Sequence, residues 1–294
     1  MVYSIRYGYP EQTQFLVIEH GKIIDCTTRH PRSECLIDFK GLRPRPGATF
    51  YAPYLLDYSR KEDRLKAYQS IMDRGGTSVI VPCYCKNVAL LKANLQATRQ
   101  VMKHSPLDYL IGLSTHIEFL SQALVIECNK QSIPFIQFEF SHIDDLYSYP
   151  WEWLRDAVNG QRLLFIPFYK TRGEDKKAGL QRKKFYHLWY QFADRMNIPT
   201  ALAFEEDHAI PNPLTKNLGL YPIKGALVPG SDCDCVLTPV SLEQQENLHY
   251  DENNHSVVVI RGQVQKGNGN MMCPGFGQEI KVPMVHRFTG DWEC

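Results

Sequence analysis

No stretch of the 294 residues approaches the ~18 consecutive apolar residues that a membrane-spanning helix requires. The opening Met1-Val2-Tyr3-Ser4-Ile5-Arg6 lacks the basic start and apolar core of a signal peptide. Both absences lead to the expectation of a cytoplasmic protein with no membrane partner. An excess of charge is missing too. The 33 Lys and Arg against 32 Asp and Glu leave +1, which supplies neither the basic surface of a nucleic-acid binder nor an acidic tail. Low-complexity segments and short repeats are absent. Gly267-x-Gly269 has no helix after it, so it is no phosphate cradle, and no nucleophile elbow supports Cys-His-Asp catalysis.

What is present is material for a large core: 44% apolar residues, with 16 Tyr and 14 Phe, rule out disorder. Nine cysteines are an odd number. Cys83, Cys85, Cys233 and Cys235 lie within strand-like runs, which favours reduced thiols over a disulfide framework. Residues i and i+2 of a strand share a face, so each Cys-x-Cys pair could meet one ion. Structural zinc, however, uses wider Cys spacings, and small buried strand residues are the simpler reading.

The first 46 residues carry short β-type runs. Gln14–Glu19 and Lys22–Cys26 flank His20-Gly21 as a hairpin. Near the other end, Ser256–Val264 is β-branched and bounded by turn formers. The middle alternates. Thr77–Pro82, Leu107–Leu113, Pro134–Phe140, Leu163–Phe168 and Pro199–Phe204 read as apolar strands. Helices are expected at 65–74, 89–104, 117–131, 150–159 and 180–197. Near-continuous apolar strands alternating with helices predict a parallel sheet covered by helices. His116 and His187, in or beside helical stretches, read as packed or surface residues.

Asn212-Pro213-Leu214-Thr215-Lys216-Asn217-Leu218-Gly219-Leu220-Tyr221-Pro222-Ile223-Lys224-Gly225, followed by Val228-Pro229-Gly230-Ser231-Asp232-Cys233-Asp234, resembles the segment that closes the barrel of cyclic amidohydrolases. That group includes dihydropyrimidinases, hydantoinases, allantoinases and dihydroorotases. Glu19–Ile24, Leu36–Leu42, Arg74–Val79 and Val258–Val264 resemble other family segments in the same order. The resemblance implies an α/β chain: a (β/α) TIM-type barrel with a small β-sandwich domain formed by both termini. The expected domains are 1–46 plus 219–294 for the β domain and 47–218 for the barrel. The 172 positions from 47 to 218 hold five or six strand–helix units of ~30 residues, not eight. The barrel is therefore expected to be shortened, with its missing edge open or covered by another subunit.

The resemblance also implies a binuclear metal site, and the ligand positions do not carry it. After Pro46-Gly47, Ala52 and Tyr54 stand where the family places a His-x-His pair. Neither Ile136–Phe138 nor Phe165–Phe168 offers the bridging lysine, and Lys170 lies further on. Ala203–Ala209 aligns with either the fifth or the eighth barrel strand; in the second alignment Asp207 takes the place of the catalytic aspartate. Glu205 and Glu206 are candidate ligand-binding residues beside it. No metal or other cofactor is expected. The alternative is zinc or another divalent ion at a relocated site made from His142, Asp144, Asp207 and His208. The leading expectation is a non-catalytic structural or regulatory subunit, homo-oligomeric or paired with a catalytically active relative. A hydrolase of cyclic amide or ureide C–N bonds with relocated ligands, and a metal-free small-molecule binding protein, are the alternatives.

Overall fold

The computed structural model describes residues 2–8, 13–31, 35–158, 163–170, 176–239, 257–267, 270–271 and 273–282. The chain opens with β1 (Val2–Gly8), β2 (Gln14–Glu19), β3 (Lys22–Thr27), β4 (Leu36–Lys40) and β5 (Leu42–Pro46). It then enters an alternating region: β6 (Ala48–Tyr51), α1 (Lys61–Asp73), β7 (Gly76–Tyr84), α2 (Leu91–Met102), β8 (Asp108–His116), α3 (Gln122–Lys130) and β9 (Phe135–Phe140). Short α4 (Asp145–Ser148) and α5 (Glu152–Val158) lead to β10 (Leu164–Tyr169), long α6 (Lys176–Arg195) and short α7 (Asn212–Asn217). β11 (Cys235–Pro239), β12 (Val257–Ile260), β13 (Gln263–Gly267) and β14 (Asn270–Met271) follow.

β6 to β10 form one parallel sheet in the order β10-β9-β8-β7-β6, a partial TIM-type barrel. The side-chain period of two divides it cleanly. Val79, Val81, Cys83, Ile111, Leu113, Phe138 and Phe140 face the helices in the larger core. Tyr51, Ile80, Leu110, Phe135, Leu164 and Ile166 face inward. Both faces are buried, which is why these strands read as unbroken apolar runs. The helix-side layer is aromatic around Phe138, Phe140, Trp151, Phe185 and Trp189, which meet at ring separations of 4.8–6.3 Å. Cys83 and Cys85 lie in this layer, where burial pushes their thiols up.

Pro199–Phe204 does not form the strand expected from its sequence. Only Thr200 pairs, in parallel with Phe165 of β10: the Phe165 N–H donates to Pro199 O at 2.8 Å, and the Thr200 hydroxyl donates to Phe165 O at 2.6 Å. The chain then crosses to the opposite edge. There Asp207 N–H donates to Tyr51 O at 2.9 Å and Ile210 N–H to Thr49 O at 2.8 Å, antiparallel to β6. One segment thus occupies both outer strands. Phe204, between the two contacts, stacks on Tyr51 at 4.4 Å and meets Phe135 edge-on at 5.0 Å, filling the interior. The Ala203–Ala209 run is therefore neither a fifth nor an eighth parallel strand.

β1 to β4 form a largely antiparallel sheet, ordered β3-β2-β1-β4. β5 joins β11 to β14 in a second sheet. Their apolar faces meet through Phe39 and Leu227, a sandwich-like arrangement separate from the barrel. Among the described residues no helix is long and apolar enough to cross a membrane.

Candidate functional site

Inward-pointing residues at the strand ends surround a cavity of about 480 Å³ at the C-terminal mouth of the parallel sheet. Tyr84 ends β7, His116 ends β8, Glu139 lies in β9, Ser141 and His142 follow β9, and Lys170 follows β10. Register brings them together. His116 pairs with Glu139, and Lys170 N–H donates to Phe140 O at 3.0 Å, which sets Lys170 beside Ser141. His116 Nε2 lies 3.1 Å from Ser141 Oγ, and its Nδ1 lies 3.7 Å from Glu118 Oε2. Lys170 Nζ is 3.2 Å from Glu139 Oε1. The His142 N–H donates to Asp145 Oδ2 at 3.0 Å, which pins the turn after β9. In barrels and open α/β sheets this end of the strands carries the chemistry.

The sequence signal for most of these groups was overlooked. His116 is the last residue of β8 and not part of a helical stretch, and Glu139 and Ser141 alternate across the end of β9. Polar residues at matching parity on adjacent strand ends are visible in the sequence once the strand boundaries are known.

Of the residues singled out from sequence, His142 lines the cavity, and Asp144 sits on the same turn, where its backbone carbonyl accepts from Tyr147. Asp207 and His208 lie elsewhere, against the β6 edge. Tyr54 donates to Asp207 Oδ1 at 2.5 Å and Arg74 Nη2 to the same oxygen at 2.6 Å, while Arg74 Nη1 donates to the Asp207 carbonyl at 2.7 Å. Burial is the largest single influence on the Asp207 carboxyl and raises it, but Arg74, Tyr54 and His208 together outweigh it and hold the group below its ordinary value. Glu205 and Glu206 are exposed, and the Glu206 carbonyl faces His208 Nδ1 at 2.8 Å.

The donors present do not fit the binuclear centre that the resemblance implies. Ala52 is fully buried in the helix-side core, so its position does not face the mouth at all. The inward residue at that level is Tyr51, whose phenol is raised by burial and donates to Gln137. A neutral phenol and an amide are poor partners for a divalent ion. Tyr54 is engaged by Asp207, and Lys170 by Glu139. Among the described residues no three His, Cys, Asp or Glu are grouped to hold a metal ion.

The most specific sequence motif has a structural role at the opposite end of the barrel. Lys224 Nζ is fully buried, 2.5 Å from Asp108 Oδ2, 2.7 Å from Asp234 Oδ2 and 2.9 Å from Asp232 Oδ2. Arg261 adds a guanidinium bond to Asp108, and its backbone N–H donates to Asp234 Oδ1 at 2.8 Å. Burial alone would lower the Lys224 ammonium; Asp234, Asp108 and Asp232 more than reverse that and raise it. Asp234 is itself raised, by burial and by the neighbouring Asp108 carboxylate. The network ties the start of β8 to the 219–235 segment and to the β12–β13 turn.

Neither a family model nor a curated protein matches this sequence. Solved structures match by shape. A D-hydantoinase superposes with a TM-score of 0.62 at 13% identity, over 97% of this chain and 99% of that one. The beta-aspartyl dipeptidase of Fervidobacterium islandicum AW-1, solved with a beta-Asp-Leu dipeptide, gives 0.53 at 12% over 92% and 99%. The atrazine chlorohydrolase TrzN of Arthrobacter aurescens TC1, solved with zinc, gives 0.52 at 10% over 92% and 96%. These neighbours are amidohydrolase-superfamily structures, and the chain shares their fold. At such identities the likeness is one of fold, and fold alone assigns no activity.

Proposed function

We propose that this amidohydrolase-fold protein works without the binuclear metal chemistry of its structural relatives and binds a small polar molecule at the mouth of its barrel. The carrying observation is the content of that mouth. The cavity holds an ion pair, two histidines and a serine, while the positions due to carry metal are taken by Ala52 and Tyr54. Concave sites with a few convergent polar groups are the usual form of a small-molecule site. Metal-bound hydroxide needs several ligands converging on one ion to hold it and lower the pKa of its water, and among the described residues no three such groups converge. A purely structural or regulatory subunit, paired with a second copy or an active relative, ranks behind this reading. The missing ligands favour both readings, but pairing with another subunit was expected from an open sheet edge, and the 199–210 segment bridges to both edge strands.

The test combines elemental analysis of protein purified without chelators with melting curves in hydantoin, dihydropyrimidine and allantoin. Near-zero zinc, manganese, nickel and iron, with a melting shift of roughly 5 °C at ~100 Kd and no turnover, is the expected result. One or two metal equivalents, lost on replacing Asp207 and His208 by Ala, would sink the proposal in favour of a relocated hydrolase site.

A further inference from the structure

The cavity contains an arrangement that metal-dependent hydrolysis does not use. We infer that Ser141 is a nucleophile, with His116 as its base and Glu118 positioning the imidazole, and that the group acts on small carboxylic esters. This rests on the mouth cavity being the functional pocket.

Three features carry the inference. The first is reach: His116 Nε2 stands 3.1 Å from Ser141 Oγ, within proton-transfer distance, and both groups line the cavity. The second is orientation: Glu118 Oε2 lies 3.7 Å from the other imidazole nitrogen. Its backbone N–H also approaches that nitrogen, at 3.4 Å, which favours the tautomer with the proton on Nε2. For Nε2 to accept from Ser141 the imidazole must carry its proton on Nδ1, so the exposed Glu118 carboxylate has to close the 3.7 Å gap and displace that backbone contact; this is the role of the third member in nucleophile–base–acid groups. The third feature is charge. Lys170 sits in register beside Ser141, with its ammonium at the cavity wall next to Glu139, where it can meet an oxyanion.

The chemistry balances without a cofactor. Ser141 Oγ bonds to the ester carbonyl carbon as its proton passes to His116 Nε2. The carbon–alkoxide bond breaks, and the departing alkoxide takes that proton. Water then adds to the acyl-serine, giving its proton to Nε2. The Oγ–carbon bond breaks and the proton returns to Oγ, leaving one acid and one alcohol. Esters suit the site better than amides, because an alkoxide leaves with less protonation than an amine and Lys170 at the wall is partly neutralised by Glu139.

The decisive experiment treats the full chain with an alkyl fluorophosphonate and locates the adduct by peptide mass. The expected result is one adduct, on Ser141, absent in Ser141→Ala and formed at least ~100-fold more slowly in His116→Gln. Hydrolysis of p-nitrophenyl acetate should show a p-nitrophenolate burst and lose about 100-fold in kcat in Lys170→Met. Glu118→Gln should lower kcat for the same ester with KM unchanged, the split expected of a residue that acts through the imidazole and not on the substrate. No adduct, an adduct on another residue, or one indifferent to His116→Gln overturns the assignment. Melting shifts with hydantoin are read on the parent and on Ser141→Ala, whose exposed side chain should leave the fold unaltered. A retained shift without an adduct removes the nucleophile and leaves the binding reading standing; loss of both removes the two together.

Discussion

Replacing Lys224 by Met tests whether the 219–235 motif is there to hold the fold. The ammonium is 1% exposed and meets three carboxylates within 2.9 Å. At an effective dielectric of ~20, each such contact gains about 6 kcal/mol, set against several kcal/mol of desolvation per ion. Removing one member of a buried ionic group typically costs 3–5 kcal/mol, because the others stay buried without compensation. Here Asp108 keeps the Arg261 guanidinium and the Gln278 N–H, and Asp234 keeps the Arg261 backbone N–H, with no ammonium left to either. With a urea dependence of about 3 kcal/mol per M, the unfolding midpoint should fall by roughly 1–1.5 M. The pH dependence follows from the directions of the shifts. Lys224 is raised when folded, so its contribution is complete below the ordinary lysine value of ~10.4 and disappears as pH climbs through the raised one. Asp234 is also raised, so its ionisation works against the folded state, and protonating it on acidification relieves the variant's excess negative charge. The gap between parent and Lys224→Met should therefore narrow toward acid pH, and adding Asp234→Asn should recover part of the loss. A midpoint change under about 0.3 M, near 1 kcal/mol, would refute the argument.

Other perturbations probe the barrel itself. Gly112→Ala should lower stability by about 1–3 kcal/mol in a melting assay, because a Cβ there would stand 2.0 Å from the Phe135 ring. Phe204→Ala should cost about 3–5 kcal/mol in chemical denaturation, since it removes the ring stacked on Tyr51 and edge-on to Phe135. Arg74→Met should cost no more than about 1 kcal/mol, because Asp207 is half exposed and solvent screens the pair. Its clearer signature should be faster hydrogen exchange at the Asp207 and Ile210 amides that bond to β6. Asp207 is depressed when folded, so whatever the pair contributes is present above the ordinary carboxylate value and fades as pH falls through the lowered one.

The parallel sheet was legible because each of β7 to β10 is buried on both faces and leaves an apolar run between helices. The shortened barrel was legible from spacing. Closure by residues 199–210 was not. Thr200 and Ala209 make single bridges, too brief to leave an alternating pattern. The Tyr-Pro-x-Lys-Gly and Gly-Ser-Asp segment identified the fold correctly, but its chemistry is a buried charge cluster and not a substrate site. His-x-His spacing carried to Ala52 pointed at a residue that faces the helices, since parity depends on the pleat and not on distance from Pro46-Gly47. Asp207 stands out in the sequence through its alignment with the family's eighth-strand aspartate. Its partners Arg74 and Tyr54 are more than 130 positions away in the sequence, and no local pattern announces them.

A single segment that occupies both margins of a parallel sheet couples their fates. When Pro199 and Thr200 leave β10, the chain that carries Asp207 and Ile210 to β6 loses its anchor on the other edge as well. One local opening would then present two rows of unpaired peptide groups together. Free strand margins template association with other chains, and two exposed at once allow each molecule to recruit neighbours on either side. Colloidal behaviour under mild heating should therefore depend on the few hydrogen bonds of this segment more than on global stability. Aggregation would begin while the helix-side aromatic core is still intact.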